Sequence, residues 1–355
     1  MAFLLALSAV HPAYAAVTGD VGWVLVDNTN FTGTYTADAQ HSFSSTHGTV
    51  SVFRGGPGVY AVNFSNLFIQ SGIVTVLATP YNSPNQCVVG EASGSATTPA
   101  GGGLTCYDRF GNPADTPFSL LFETRKGTFG SAADALAFVE QTTNTATTNV
   151  SSYNSTGGTN SAVKSSKTGI GPGNYTVTLP GLTEAGGDIQ AASYNGASYP
   201  SLCKVVDWSA ASMGTTATVQ CYRIGSGIPI YSPFNFVYAI GEPFGLVPGE
   251  ATLGAWVWAH DPTPAAPYRP NMRYQYNGFR TGAITVARTS VGHYTVTIPG
   301  TLTYTNAVAL VTAWGADTDY CNVAGWTGGT INVVCYTQSR AFADSRFDLT
   351  FQTAR

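Results

Sequence analysis

The sequence predicts an all-β protein of three tandem antiparallel β-sandwich domains, each closed by one intradomain disulfide. Three observations lead to this prediction. Charged residues make up 10% of the 355 residues, where an ordinary soluble domain has about 25%, and 40 glycines and 19 prolines supply turns. Short segments alternate apolar and polar residues at the period of a strand. A set of sequence features also recurs three times along the chain.

The repeat is marked by a cysteine pair and by motifs around it. A Gly-x-Tyr-x-Val segment, beginning at Gly58, Gly173 and Gly292, precedes each pair; a tyrosine follows each second cysteine, and a Phe-containing strand closes each copy. The period of roughly 115 residues is too long for a solenoid, whose repeats run about 20–50 residues, and suffices for a separate core. We therefore predict a signal peptide at 1–15, then unit 1 (16–125), unit 2 (126–245) and unit 3 (246–355).

Each unit is expected to form its own disulfide. Six cysteines allow 15 pairings, but a repeated unit with two cysteines should close on itself, and free buried thiols are the alternative. The predicted bridges are Cys87–Cys106, Cys203–Cys221 and Cys321–Cys335. Segments such as 294–298 alternate as half-buried strands do, and the continuous apolar run 73–77 is typical of a strand covered on both faces. Residues 131–140 have a helix-like composition, yet their place in the repeat matches the opening strand of the other units, so we predict a strand.

The N-terminal segment predicts export. The apolar run 2–10 followed by Ala13-Tyr14-Ala15 is typical of a secretory signal cleaved near Ala16, with a buried N-terminal strand as the alternative. Disulfides persist outside the cytosol. No segment reaches the ~18 apolar residues of a membrane span, and a net charge of −4 gives no field that attracts nucleic acid. The sequence therefore predicts a secreted protein without a nucleic-acid partner or a membrane span.

Common catalytic and cofactor motifs do not occur in the sequence. The histidines form neither His-x-x-x-His nor His-Glu-x-x-His, and Cys-x-x-Cys, Gly-x-Ser-x-Gly and the phosphate-binding glycine motifs are missing. We predict no metal and no cofactor, and the sequence favours a binding protein over an enzyme.

Aromatic residues confined to unit 3 are the first candidates for ligand binding, because recurring residues are expected to be scaffold. Trp258 and Trp314 have no counterpart in the other units. An exposed indole would stack on the apolar face of a sugar ring, and burial is the alternative role. Tyr268 and Arg269 open a stretch of alternating Arg and Tyr that suits an anionic polymer, or an edge strand kept soluble by charge.

Carboxylates are the second group of candidates. Asp317 and Asp319 occur in unit 3 only, where they could bind a ligand or lie on a solvated loop. A calcium ion needs six to eight oxygen ligands, which this pair does not supply. Asp115 and Asp344 recur before the closing strands, so we expect them to cap turns.

The repeats resemble a β-rich tandem module of secreted, mostly uncharacterised bacterial proteins. The resemblance is carried by the Gly-x-Tyr-x-Val strand, the Cys…Trp…Cys-Tyr hairpin and the ending Asp344–Phe347, and it covers nearly the whole mature chain. It implies secretion and modularity and brings no activity or catalytic residues. Unit 1 departs from the pattern at Glu91-Ala92, where tryptophan is expected, and unit 2 at Tyr231, which replaces the Asp-led ending.

Two functional hypotheses follow. The first is a secreted, non-enzymatic protein of the cell surface or matrix that binds a polysaccharide or another envelope polymer and can self-associate. The alternative is a secreted hydrolase of such a polymer, with a cleft between units 2 and 3 lined by Trp314, Asp317, Asp319 and His260. Two carboxylates about 5–10 Å apart across a groove would support the alternative.

Overall fold

The computed structural model describes residues 19–69, 73–125, 135–143, 151–165, 172–194, 199–245, 252–279, 282–300 and 306–354. The predicted signal peptide at 1–15 and the predicted starts of units 2 and 3 lie outside the described residues. None of the helices in these ranges is both long and apolar enough to cross a membrane.

Strands make up nearly all the regular structure. Unit 1 contains β1 (Val21–Val26), β2 (Gly33–Thr36), β3 (Ser42–Ser44), β4 (Val50–Gly56), β5 (Val59–Phe68), β6 (Ile73–Pro80), β7 (Gln86–Ser93), β8 (Pro99–Tyr107) and β9 (Phe118–Arg125). Unit 2 contains β10 (Leu136–Gln141), β11 (Ser151–Asn154), β12 (Ser161–Lys164), β13 (Asn174–Pro180), β14 (Asp188–Ser193), β15 (Ser201–Ala211), β16 (Gly214–Arg223) and β17 (Phe234–Ala239). Unit 3 contains β18 (Thr252–Ala259), a 3-10 turn (Met272–Tyr274), β19 (Gln275–Asn277), β20 (Thr285–Ser290), β21 (His293–Thr297), β22 (Ala307–Trp314), β23 (Tyr320–Thr327), β24 (Thr330–Tyr336) and β25 (Arg346–Ala354).

Each unit is a sandwich of two antiparallel sheets, which confirms the predicted fold class. The sheet nearer the centre of the molecule, here called the inner sheet, has the order β3-β1-β9-β6, β11-β10-β17-β14 or β19-β18-β25-β22. The outer sheet has the order β2-β4-β5-β8-β7, β12-β13-β16-β15 or β20-β21-β24-β23. A parallel pairing of β15 with β22 joins the outer sheet of unit 2 to the inner sheet of unit 3, so these two form one continuous eight-stranded sheet. Strand β10 confirms the strand expected within 131–140, of which 131–134 lie outside the described part.

The three predicted disulfides are confirmed. Cys87 pairs with Cys106, Cys203 with Cys221 and Cys321 with Cys335. In every unit the two cysteines lie directly opposite each other on neighbouring strands of the outer sheet. Each bridge therefore ties one hairpin and leaves the units without a covalent cross-link.

The units close into a ring through three equivalent junctions. In each junction, a valine of one unit forms a parallel β-bridge with an aromatic residue of the next unit. The valine lies two residues after the first cysteine of its unit, and the aromatic residue lies at the end of the edge strand of the inner sheet. The pairs are Val89 with Tyr194 (unit 1 to 2), Val205 with Trp314 (unit 2 to 3) and Val323 with Tyr81 (unit 3 to 1). Contacts of this head-to-tail kind form a ring when the rotation closes, and here the third unit returns to the first.

The buried apolar clusters do not coincide fully with the three units. Units 2 and 3 each have a buried cluster between their own sheets. The cluster of unit 1 extends past its sandwich and includes Phe138 and Val237 of unit 2 with Val308 and Leu310 of unit 3. The edge strands β6, β14 and β22 contact one another at the centre. Three wholly separate cores are therefore the wrong description, since the centre of the ring is a shared apolar layer.

Candidate functional site

The recurring Gly-x-Tyr motif builds a structural clasp. In unit 1 the carboxylate of Asp115 accepts hydrogen bonds from Gly58 N (2.8 Å) and Tyr60 Oη (2.9 Å) and pairs with Arg54 (2.6 Å). Gly58 has φ 68°, a conformation that glycine adopts at no steric cost. The bond from Arg54 lowers the pKa of Asp115 to about 2. Unit 3 repeats the clasp with Gly292, Tyr294, Arg288 and Asp344.

Unit 2 replaces the ion pair of this clasp with a cation–π contact. Tyr231 stands where the aspartate is found in the other units, and its ring packs edge-on against Tyr175, with centroids 5.6 Å apart. The Lys164 ammonium lies 4.1 Å from the centroid of the Tyr231 ring, in the range of a cation–π interaction. Unit 2 therefore retains a cation at this position, Lys164, but the cation contacts a tyrosine ring where the other units have a carboxylate.

Asp317 and Asp319 form a clamp between units 2 and 3. The Lys204 side chain is 1% exposed, and its Nζ donates to Asp317 Oδ1 (2.7 Å), Asp317 O (3.2 Å) and Asp319 O (2.9 Å). Burial lowers the pKa of Lys204, which Asp317 opposes. A buried ammonium needs such partners to offset its lost hydration. Asp317 is therefore the counterion of a buried lysine.

A similar clamp joins units 3 and 1, but its donor is a neutral amide. Asn322 occupies the position of Lys204, directly after the first cysteine of its unit. Its Nδ2 donates to Ser83 O (2.7 Å) and Asn85 O (2.9 Å) of unit 1. Both clamps hold backbone carbonyls of the neighbouring unit's loop, which identifies the clamp as scaffold.

Trp258 and Trp314 belong to an aromatic cluster at the junction of units 2 and 3. The ring of Trp258 lies 4.1 Å from Trp208, 4.7 Å from Trp314 and 4.4 Å from Tyr274, measured between centroids. All four side chains are half-buried. Arg346 covers Trp314 at 4.8 Å. Trp258 and Trp314 are thus packed against other aromatic rings and are only partly exposed.

The recurring tryptophan is itself a junction residue. Trp326 of unit 3 packs edge-on against Tyr81 of unit 1 at 5.4 Å, as Trp208 of unit 2 does against Trp314 of unit 3 at 5.9 Å. The corresponding position at the third junction is Ala92, five residues after Cys87. The departure at Glu91-Ala92 is thus a change at a contact between units.

Tyr268 and Arg269 lie elsewhere in unit 3. Backbone hydrogen bonds join Tyr268 to Val286 on β20, the edge strand of the outer sheet. Its hydroxyl accepts from Asp261 N (3.2 Å), its ring contacts that of His260 (5.2 Å), and burial raises its pKa to about 12. Arg269 is exposed. The predicted residues are thus divided between a junction, a clamp and a sheet edge.

A groove that the sequence did not single out crosses the outer sheet of unit 3. This unit 3 groove has a volume of about 620 Å³ and is bordered by the unit 1 loop 82–84. Three of its rings form a row: His293 lies 4.4 Å from Phe342, and Phe342 lies 5.6 Å from Tyr336, measured between centroids. Phe342 is 53% exposed. The groove is larger than the cavity beside Cys203 and the depression beside Phe31.

The chemistry of this groove suits a polar ligand with apolar faces. Amide, hydroxyl and imidazole groups line it together with the rings, and one guanidinium, that of Arg340, is present. Its lining contains no aspartate or glutamate. Pockets of about 300–1,000 Å³ with rings and a few polar groups are typical ligand sites. The sequence does contain a signal for this groove, because His293 and Phe342 occur in unit 3 only. The position of His293 is occupied by Val59 and Asn174 in the other units, and that of Phe342 by Pro113 and Pro229.

Comparison with known proteins adds no family. No protein-family model matches the chain, and no curated protein matches it. Within the described ranges, no three metal-ligating side chains are grouped to hold an ion.

Proposed function

We propose that this protein is a secreted, non-enzymatic binding protein of the cell surface or matrix that holds an extracellular polysaccharide in the unit 3 groove. The row of rings formed by His293, Phe342 and Tyr336 carries the proposal. Sugar rings offer apolar faces to aromatic side chains and hydroxyls to amides. The groove lies on a sheet braced by the Cys321–Cys335 bridge, so little ordering entropy is lost on binding.

Secretion is supported by the three disulfides and by the apolar segment at residues 2–10. The resemblance to secreted bacterial modules points the same way and stays a prediction.

The observations weigh against the hydrolase alternative. Glycoside hydrolysis uses two carboxyl groups that flank the scissile bond. Asp317 is engaged by Lys204, and Asp344 by Arg288. The unit 3 groove has no carboxylate among its lining residues.

The proposal is tested by incubating the mature chain with insoluble and immobilised polysaccharides and measuring both retention and released sugar. We expect retention on at least one polysaccharide with no release of reducing ends. Retention should fall at least tenfold in Phe342→Ala and stay unchanged in Phe110→Ala, which removes an exposed ring of unit 1 (71% exposed) outside the groove. Release of sugar that is lost in Asp319→Ala would instead support the hydrolase.

A further inference from the structure

We propose that the unit 3 groove selects an acidic saccharide, whose carboxylate is bound by the Arg340 guanidinium while Phe342 and His293 contact the sugar ring. The inference rests on the proposed function and specifies the ligand class of the same site.

The backbone of Arg340 is the first observation. Arg340 has φ 68° in the turn between β24 and β25, and its N–H donates to Thr337 O (2.9 Å). The equivalent turns of units 1 and 2 place Gly111 (φ 80°) and Gly227 (φ 64°) at this point. A left-handed conformation costs a residue with a Cβ roughly 1–2 kcal/mol. Unit 3 therefore keeps an arginine where the turn favours glycine, and such strain concentrates at functional sites.

The surroundings of the guanidinium are the second observation. Arg340 is half-buried in the groove wall and donates from Nη2 to Asn85 Oδ1 of unit 1. Its Nε is itself buried and has no hydrogen-bond partner among the residues that the structure describes. Four other cations, Arg54, Arg125, Lys204 and Arg288, are paired with carboxylates, and no such pair includes Arg340 within the same ranges. Its charge is therefore available to a ligand.

One acidic group within the field of Arg340 is Asp108 in unit 1, whose pKa is lowered by hydrogen bonds within its own loop and by Arg340. That carboxylate is occupied by Phe110 N (2.8 Å), Asn112 N (2.9 Å) and Asn112 Nδ2 (3.3 Å). The Tyr320 hydroxyl is a hydrogen-bond partner of Arg340, and the Tyr336 hydroxyl lies within the field of the guanidinium. None of these groups is a carboxylate that forms an ion pair with Arg340 in the described part of the chain.

The third observation is that residues particular to unit 3 lie together in the groove. Three positions differ in character between unit 3 and both other units, and all three line the same groove. They are His293 (Val59 and Asn174 elsewhere), Arg340 (Gly111 and Gly227) and Phe342 (Pro113 and Pro229). Arginine binds carboxylates through two parallel hydrogen bonds of roughly twice the ordinary strength. A cation beside exposed rings, in a groove without lining carboxylates, fits an acidic sugar better than a neutral one.

The test is an array of uronic-acid and sialylated oligosaccharides next to neutral oligosaccharides of equal length, probed with the full mature chain. We expect preferential retention of acidic members, weakened by added salt because the pair is partly exposed. Arg340→Gly should lower that retention at least tenfold while leaving the melting temperature unchanged or raised. Arg340→Asn, which also tolerates the left-handed conformation, provides a second variant in case the first fails to fold.

The other units supply the matched variant and the control. The triple change His293→Asn, Arg340→Gly and Phe342→Pro gives unit 3 residues found at the corresponding positions of units 1 and 2, and should abolish retention in a folded protein. Phe110→Ala should leave it intact. If only neutral oligosaccharides are retained, or if Arg340→Gly does not weaken the retention of acidic ones, the proposed ligand class is wrong. The proposed polysaccharide-binding function would still stand in that case. Retention of no glycan at all would overturn the proposed function itself.

Discussion

Two buried aspartates lie where β14 of unit 2 meets β25 of unit 3, and no cation pairs with them among the described residues. Asp188 accepts from Thr350 Oγ1 (2.6 Å) and Gln190 Nε2 (3.3 Å), and Asp348 accepts from Ile189 N (2.8 Å). Burial raises the pKa of Asp188 to about 7. Burial and the neighbouring Asp188 raise the pKa of Asp348 well above its ordinary value. The pair therefore holds at least one proton near neutral pH.

We predict that Asp348→Asn stabilises the protein at alkaline pH. A carboxyl whose pKa is raised by folding stabilises fully below its unfolded pKa of about 3.9, and this contribution is lost as pH rises through the folded value. Asn235 occupies the same position in unit 2 and donates to Val76 O of unit 1 (2.8 Å). In thermal unfolding from pH 4 to 9, the variant should lose less stability than the wild type, by about 1.4 kcal/mol for each pKa unit removed.

The control is Asp207→Asn, the same type of change at an exposed aspartate, against which the Asp348→Asn profile is compared. An Asp348→Asn profile that is parallel to the wild type from pH 5 to 8 would contradict a shared buried proton.

At the scale of elements, the clasp sets how each outer sheet meets the closing strand. Its carboxylate joins a hairpin glycine, a buried tyrosine and a cation on the neighbouring strand. The turn-capping role expected for Asp115 and Asp344 is confirmed because both accept from a backbone N–H at a turn. The recurrence of the motif predicted a structural role for it. Which residues the carboxylate contacts depends on how the strands pair, and this could not be predicted from the local sequence.

We predict that Asp115→Ala destabilises the protein by about 1–2 kcal/mol at pH 7, since Gly58 N and Tyr60 Oη lose an acceptor in partly buried surroundings. A carboxyl with a lowered pKa stabilises above its unfolded pKa, and this contribution fades as pH falls towards about 2. Urea unfolding at pH 7 and pH 2.5 measures the difference. A destabilisation that is equal at the two pH values would show that the charge of Asp115 is irrelevant to the clasp.

At the scale of the whole molecule, the ring accounts for an aromatic residue that recurs in every unit. The recurring aromatic of each opening strand (Trp23, Phe138 or Trp256) turns towards a neighbouring unit. Trp23 Nε1 donates to Asn306 Oδ1 of unit 3 (3.2 Å) and Trp256 Nε1 to Gly241 O of unit 2 (2.7 Å). Both tryptophans are buried, and their hydrogen-bond partners belong to other units. Recurrence thus marks contacts between modules as well as contacts within them.

We predict that the three units unfold in one cooperative transition and that Trp326→Ala weakens it. The junction of units 3 and 1 joins residues far apart in sequence, so it exists only while the ring is closed. Removing a half-buried tryptophan there should cost about 2–3 kcal/mol, below the 3–5 of a fully buried one. Scanning calorimetry should give a lower melting temperature and a lower ratio of van't Hoff to calorimetric enthalpy.

Trp208→Ala at the junction of units 2 and 3 is the matched variant and should act in the same direction. Three independent transitions in the wild type, or an unchanged curve for Trp326→Ala, would show that the junctions contribute little to folding.

The sequence by itself determined the all-β class, the three copies, the pairing of cysteines and the strand at β10. These properties rest on local patterns: the period of two along a strand, turn residues, and a repeat whose copies fold alike. Only the tertiary structure decided that the copies close into a ring, that Lys204 engages Asp317, and that His293, Arg340 and Phe342 share one groove. Those relations join residues of different units or of separate turns, and their geometry is set by how whole sheets pack, which local periodicity does not encode.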